Sequence, residues 1–214
     1  GRLNQNGNST ISTAASVTPT RTQRSGKHYG VFPDADSACE AAADAFQQLS
    51  RQGIAGRRIV VDIVKTLCEQ NAEEWGRIEL EETRIGRLDH KIGKLQIIKL
   101  VPGVEFINPY ALSGDHGITL EEYTPFGVIG AVTPSTHSIP TLAGNVVNMV
   151  AGGNAVVFNA HPAASKCAAM ATRVFNKAIE QQIGIVNLIC IVEEPTLESF
   201  DAICANDHFR LLCV

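Results

Sequence analysis

The 214-residue chain has no G-x-G-x-x-G run between a strand and a helix, no Walker A motif and no G-x-S-x-G elbow. Those absences count against the common dinucleotide turn, P-loop phosphoryl transfer and a hydrolase nucleophile elbow. No apolar run approaches the roughly 18–20 residues that span a bilayer. The N-terminus is polar and lacks an apolar h-region, so no secretory leader is expected. None of the six cysteines forms a C-x-x-C pair, and no Cys/His spacing matches a zinc site. They are read as reduced thiols of a cytosolic protein, three of them inside apolar or helical patterns. A net charge of −4 offers no electrostatic case for nucleic acid or an anionic membrane. Residues 1–27 contain no acidic residue and no apolar period, which predicts a disordered arm. A short address segment is the alternative reading of that arm.

What is present suits a globular chain. A hydrophobic fraction of 44% over this length can fill a proper core. Residues 28–103 read as an N-terminal helical block. Asp34 and Asp36 are N-cap candidates for a helix over Ser37–Leu49. A second helix is expected near Gly53–Asn71, with Ile59, Ile63 and Leu67 on one ridge and Val60 and Val64 beside it. A third covers Ala72–Thr83, where Glu73, Glu74, Glu79, Glu81 and Glu82 read as a solvated face. A fourth runs from Leu88 to Leu100 with Leu88, Ile92 and Leu95 inward, and Pro102-Gly103 ends the block. Residues 104–124 form a hairpin pattern, with arms Glu105–Leu112 and Ile118–Thr124 around Ser113–Gly117. The arms are apolar without clean alternation, which points to an oligomer interface.

From residue 125 to 214 strands and helices alternate. Strands are expected at Val128–Thr133, Ala155–Phe158, Val186–Val192 and Phe209–Val214. Helices fill Ile139–Val150, Ala164–Gln182 and Leu197–Ala205. The fold class is therefore α/β: a Rossmann-like parallel sheet with helices on both faces, preceded by the helical block and the hairpin. Ligands of such sheets bind outside the carboxyl ends of the strands, which puts Pro134–His137, Asn159–Pro162 and Glu193–Thr196 on the ligand side. The first loop, Thr133-Pro134-Ser135-Thr136-His137, is rich in hydroxyls that can donate to phosphate, ribose or a developing oxyanion. Helix capping by Ser135, Thr136 or Ser138 competes with that reading. In the second loop, Asn159-Ala160-His161-Pro162, Asn159 can hold a ribose hydroxyl. His161 faces adenine or a phosphate, or is simply a surface histidine. Gly152-Gly153 reads as a helix C-cap and tight turn.

The segment PFGVIGAVTPST…AGGNAVVFNAHPAASK resembles the CoA-acylating aldehyde dehydrogenases, the acetaldehyde and propionaldehyde enzymes of bacterial microcompartments. LEETRIGRLDHKIGK, VPGVE (101–105) and LSGDHGITLEEYTPFGV (112–128) extend the resemblance in order, over about Tyr29–Val214. The resemblance implies a cytoplasmic homo-oligomer that uses NAD, coenzyme A and a small aldehyde, with a microcompartment shell as partner. It implies that a cysteine thiolate attacks the aldehyde, that hydride passes to NAD, and that CoA then cleaves the thioester. It also implies that this cysteine belongs to a catalytic domain past Val214, so that the present chain is the cofactor-binding portion. Thr133–Thr136 match the family's cofactor loop, and Thr136 stands where the wider superfamily has an amide donor to the oxyanion. Asn159 matches a ribose-contacting position, and His161-Pro162 matches the family's His-Pro. The loop departs from the family's Thr-Pro-Ser-Thr-Asn-Pro at His137-Ser138, and Arg84-Ile85 replace Gly-Met. A non-catalytic nucleotide-binding or docking module is one alternative. A non-acylating aldehyde dehydrogenase is another, disfavoured because those enzymes usually carry Pro-Trp-Asn in the loop.

Overall fold

A computed structural model describes residues 28–214, so the expected arm over 1–27 lies outside the described residues. Strand β1 (Val31–Phe32) leads into helix α1 (Ala35–Gln70), which Asp34 caps by accepting the Ser37 amide at 2.7 Å. α1 is broken at Gly53, whose φ of 61° and ψ of −156° few side-chain-bearing residues tolerate. The two halves are the two helices expected on either side of that glycine. In the second half Val60, Val64 and Cys68 are fully buried while Ile59 and Leu67 are only partly so. The core-facing ridge is thus rotated toward Val60 relative to the sequence expectation.

Helix α2 (Ala72–Thr83) ends at Arg84, which adopts φ 56° as a left-handed cap, a position that favours Gly. The stripe that α2 buries is Ala72, Trp75, Gly76, Glu79 and Thr83. Glu79 is therefore not part of a solvated face, and it is 0% exposed. Helix α3 (Leu88–Gln96) is shorter than expected, because Ile97–Leu100 tighten into a 3-10 turn. Leu95 is buried, whereas Leu88 and Ile92 are half-buried. The hairpin, β2 (Tyr110–Gly114) and β3 (Gly117–Glu121), pairs antiparallel across Asp115-His116. Its arms are shorter than the sequence suggests, and all ten paired residues are exposed.

The second sheet contains β4 (Val128–Thr133), β5 (Ala155–Ala160), β6 (Ile189–Val192) and β7 (Phe209–Cys213). Every pairing in it is parallel, in the order β1-β6-β5-β4-β7. β1 was not anticipated; Val31 pairs with Ile191 and Phe32 with Val192. Two residues are too short to carry a period. β6 starts at Ile189 rather than Val186, because the approach turns through Gly184 (φ 72°) and Asn187 (φ 57°). Helices α4 (Ser138–Ala151), α5 (Ser165–Ile183) and α6 (Leu197–Ala205) make the crossovers. The chain steps β4 to β5 to β6 in one direction and then returns past both to β7. Right-handed connections therefore put α4 and α5 on one face and α6 on the other. Gly130 makes the second packing possible, since a Cβ there would lie 2.9 Å from Leu212 and 3.0 Å from Ile203.

The turn at Gly152-Gly153 is as expected: Gly153 has φ 89°, and the Gly152 amide donates to the Asn148 carbonyl. Asn154 then fastens the start of β4, its Oδ1 accepting the amides of Phe126 and Gly127 at 2.7 and 3.1 Å. One core of buried apolar residues runs from α1–α3 through both layers around the sheet. Among the described residues no helix is long and apolar enough to cross a membrane.

Candidate functional site

The carboxyl ends of β4, β5 and β7 and the N-terminus of α6 enclose a cavity of about 680 Å³. It lies where the crossovers diverge to opposite faces, the usual ligand crevice of an open parallel sheet. Of the residues singled out from sequence, Thr133, Pro134, His137, Asn159, Ala160, His161 and Pro162 line it. Ser135 and Thr136 belong to the same loop but are not among the lining residues, and Thr136 is exposed. Leu197 and Phe200 of α6 form an apolar wall that sequence reading missed. The signal for them was Thr196, three residues before Ser199, which marks a helix opening onto the crevice.

The two loops are stitched together at their roots. The His161 amide donates to the Thr133 carbonyl at 2.9 Å, and the buried hydroxyls of Thr133 and Ser138 share a 3.2 Å hydrogen bond. Asn159 is 7% exposed. Its Nδ2 donates to the Thr196 carbonyl at 3.2 Å and its Oδ1 accepts the Ser199 hydroxyl at 2.7 Å. The amide thereby locks α6 to β5, and Oδ1 keeps one lone pair for a ligand. His161 Nδ1 accepts the Ala163 amide at 3.1 Å, which in the neutral ring leaves Nε2–H as an outward donor. The Thr136 hydroxyl and His137 Nδ1 are 2.6 Å apart. Burial, followed by the charges of Lys94 and Lys91, holds His137 below its ordinary range, so it is neutral at pH 7.

Free helix N-termini would suit a pyrophosphate, but the three on this side are already occupied. No Ser or Thr side chain caps α4, whose N-cap residue is His137. Glu79 reaches across from α2 instead, Oε1 accepting the Ile139 amide at 3.4 Å. Burial pushes the Glu79 carboxyl up, opposed by the Lys91 charge and the amides of Ser138 and Ile139. Glu82, one turn further along α2, accepts the Lys166 and Cys167 amides of α5 at 2.9 and 2.6 Å. Thr196 and Ser199 close a capping box on α6. The crevice therefore offers an apolar wall, the ring edges of His137 and His161 and a few hydroxyl and amide groups. It presents no uncapped helix N-terminus to a phosphate. No Lys or Arg lines it.

Four of the thiols, Cys39, Cys68, Cys167 and Cys190, are buried and do not line the crevice. Cys39 and Cys68 are pushed up to about 12 by burial, and burial raises Cys167 and Cys190 as well. A thiol so held stays protonated and unreactive. All six cysteines are free, with Cys204 exposed and Cys213 at the β7 edge of the cavity.

A parallel sheet with a crevice at its switch point, a Thr-Pro-Ser-Thr loop and no glycine fingerprint defines an unusual class of nucleotide-binding fold. The chain belongs to the aldehyde dehydrogenase family, whose model matches residues 8–213. It is 37% identical over 187 residues to an acetylating acetaldehyde dehydrogenase of Bilophila wadsworthia, which covers 87% of this chain and 38% of that protein. A solved propionaldehyde dehydrogenase of Rhodopseudomonas palustris, with bound propionyl-CoA, superposes with a TM-score of 0.82 at 37% identity. That match covers 86% of this chain and 41% of the other. A propionaldehyde dehydrogenase from the Clostridium phytofermentans fucose utilisation bacterial microcompartment matches with the same TM-score at 40% identity. It covers 86% of this chain and 42% of its counterpart. The chain thus spans about two fifths of the length of these relatives.

Proposed function

We propose that this chain supplies the cofactor-binding portion of an NAD-dependent, CoA-acylating aldehyde dehydrogenase. The observation that carries the proposal is the crevice over β4 and β5, lined by Thr133, Pro134 and His137 and by Asn159–Pro162 in a chain of this family. In such an enzyme bound NAD supplies the hydride acceptor and coenzyme A the acyl acceptor. The chain's own residues bind and orient. Leu197 and Phe200 offer a flat apolar surface to a base, Asn159 Oδ1 accepts a ribose hydroxyl, and His161 Nε2–H donates at the rim. Thr133, Pro134, Ser135 and His137 shape the loop, and Thr136 is the donor to the aldehyde oxygen as charge develops on it. NAD is favoured over NADP because no cation lines the crevice to receive a 2′-phosphate.

The substrate is a small aldehyde, as in the named relatives, and the setting is a bacterial microcompartment, as for the relative from C. phytofermentans, and hence the cytoplasm. The exposed hairpin is the contact between copies in a homo-oligomer. Calorimetric titration of the chain with NAD, NADP and coenzyme A tests the cofactor reading. NAD and coenzyme A should bind and compete, with NADP weaker. Absence of binding by both NAD and coenzyme A would sink the reading.

A further inference from the structure

The loop between β4 and α4 is poorly equipped to hold itself. Pro134 has no N–H, and the N-cap residue His137 makes no side-chain capping bond. Left alone, the first amides of α4 and the Thr136 carbonyl would be unpaired. Two residues distant in sequence meet that need. Lys91 of α3 donates from Nζ to the Thr136 carbonyl at 3.2 Å, and Glu79 of α2 accepts the Ile139 amide. Lys91 and Glu79 are 3.6 Å apart and expose 2% and 0% of their side chains. Glu79 Oε2 has no hydrogen bond of its own, and it is the oxygen that stands beside the lysine ammonium. The four-residue segment Thr136–Ile139 is thus gripped at its first carbonyl and at its last amide by one buried ion pair.

Resting on the cofactor reading above, we propose that Glu79 and Lys91 are positioning residues that set the Thr136–His137 backbone for its ligand. A fully desolvated pair adds little net stability, because desolvation offsets most of the attraction. What it adds here is direction, since an amide N–H donates along one axis and a carbonyl accepts best near the plane of its lone pairs. The placement matters because His137 and Thr141 line two cavities at once. One is the nucleoside crevice, and the other, of about 470 Å³, is walled by Lys94, Ile97, Ile98 and Pro140. A shift of the loop moves the shared wall.

The test compares Lys91→Met, Glu79→Gln and the apolar double variant Glu79→Leu/Lys91→Met. It uses thermal melting, amide hydrogen exchange and NAD titration on the full chain. Lys91→Met should speed exchange at His137–Ile139 by about tenfold, the value of one lost hydrogen bond, and weaken NAD binding. The double variant should recover the melting temperature yet keep the fast loop exchange and the weak binding. A merely structural pair would recover all three together, and that result overturns the proposal, as does loop exchange unchanged in every variant. If the unsubstituted chain fails to bind NAD, the cofactor reading falls, and the exchange rates alone decide the positioning role.

Discussion

Val156, Val157 and Phe158 at the centre of the parallel sheet expose none of their surface, whereas Leu112, Ile118 and Leu120 of the hairpin expose 50%, 79% and 60%. Both regions are short apolar strands of similar composition. They differ in what the rest of the chain provides. The strands of the parallel sheet receive α4 and α5 on one face and α6 on the other, so apolar residues serve on both sides. The hairpin's register places Tyr110, Glu121, Leu112 and Thr119 on one side and Ala111, Leu120, Ser113 and Ile118 on the other. Each side carries apolar side chains and each is exposed. A lone two-stranded ribbon is marginal in water, so the hairpin's sequence makes sense as a surface completed by contact. The difference separates apolar residues that the chain's own fold covers from apolar residues that it leaves exposed.

The largest effect should come from breaking the first half of that contrast. Phe158→Ala removes a fully buried ring between two helical layers, and about 3–5 kcal/mol of stability should be lost in urea unfolding. Leu120→Ala, an equally apolar truncation in the hairpin, should change the same curve by less than about 0.5 kcal/mol. Comparable losses at the two positions would show that the hairpin packs on the body of the chain, and the contrast would fail.

A smaller effect probes how the buried region is fastened. Glu82→Ala leaves the Lys166 and Cys167 amides at the start of α5 without their acceptor. The expected loss is about 1 kcal/mol, as for removal of a helix cap, with faster exchange of those two amides as the local signature. Glu82→Gln should recover part of it, because the amide oxygen still accepts. An α5 terminus unchanged by Glu82→Ala would mean that the long-range cap is ornamental and that α2 merely packs nearby.

Much of the sheet region was legible because its signals are local. β4 and α6 fall where the alternation of strands and helices places them, and Gly53 divides the long helix between the two helices expected there. The site followed from the sheet rule, which brought Thr133, Pro134, His137 and Asn159–Pro162 to one crevice. What could not be read was contact between distant segments. Ser135, Thr136 and Ser138 looked like the caps of α4, but the carboxylate that serves comes from sixty positions earlier. Five acids in α2 looked alike; only Glu79 stands on the stripe of Ala72, Trp75, Gly76 and Thr83, and that stripe was the available clue. β1 pairs with β6 across most of the chain, and no two-residue pattern announces such a partner. Arg84 in a left-handed cap shows the same limit, since residue type alone predicts a glycine there.

The smallest effect on folding should accompany the clearest effect on association. Ile118→Lys and Leu120→Lys share one side of the hairpin, where each replaces an exposed apolar side chain by a charge. The melting temperature of the dilute chain should hardly move, since neither residue leaves a packed position. If the hairpin joins copies of the chain, its apolar side is desolvated in the contact, and a lysine placed there carries a desolvation cost with no partner. Sedimentation of the double variant should then show a smaller particle than the unsubstituted chain at the same concentration, while NAD affinity stays the same because the crevice lies over the other sheet. A particle of unchanged size would remove the hairpin as the interface. A melting temperature that falls along with association would instead make the contact part of the fold, as in obligate dimers whose stability cannot be separated from assembly. The two observables together decide whether the hairpin's apolar residues serve the chain or its neighbour.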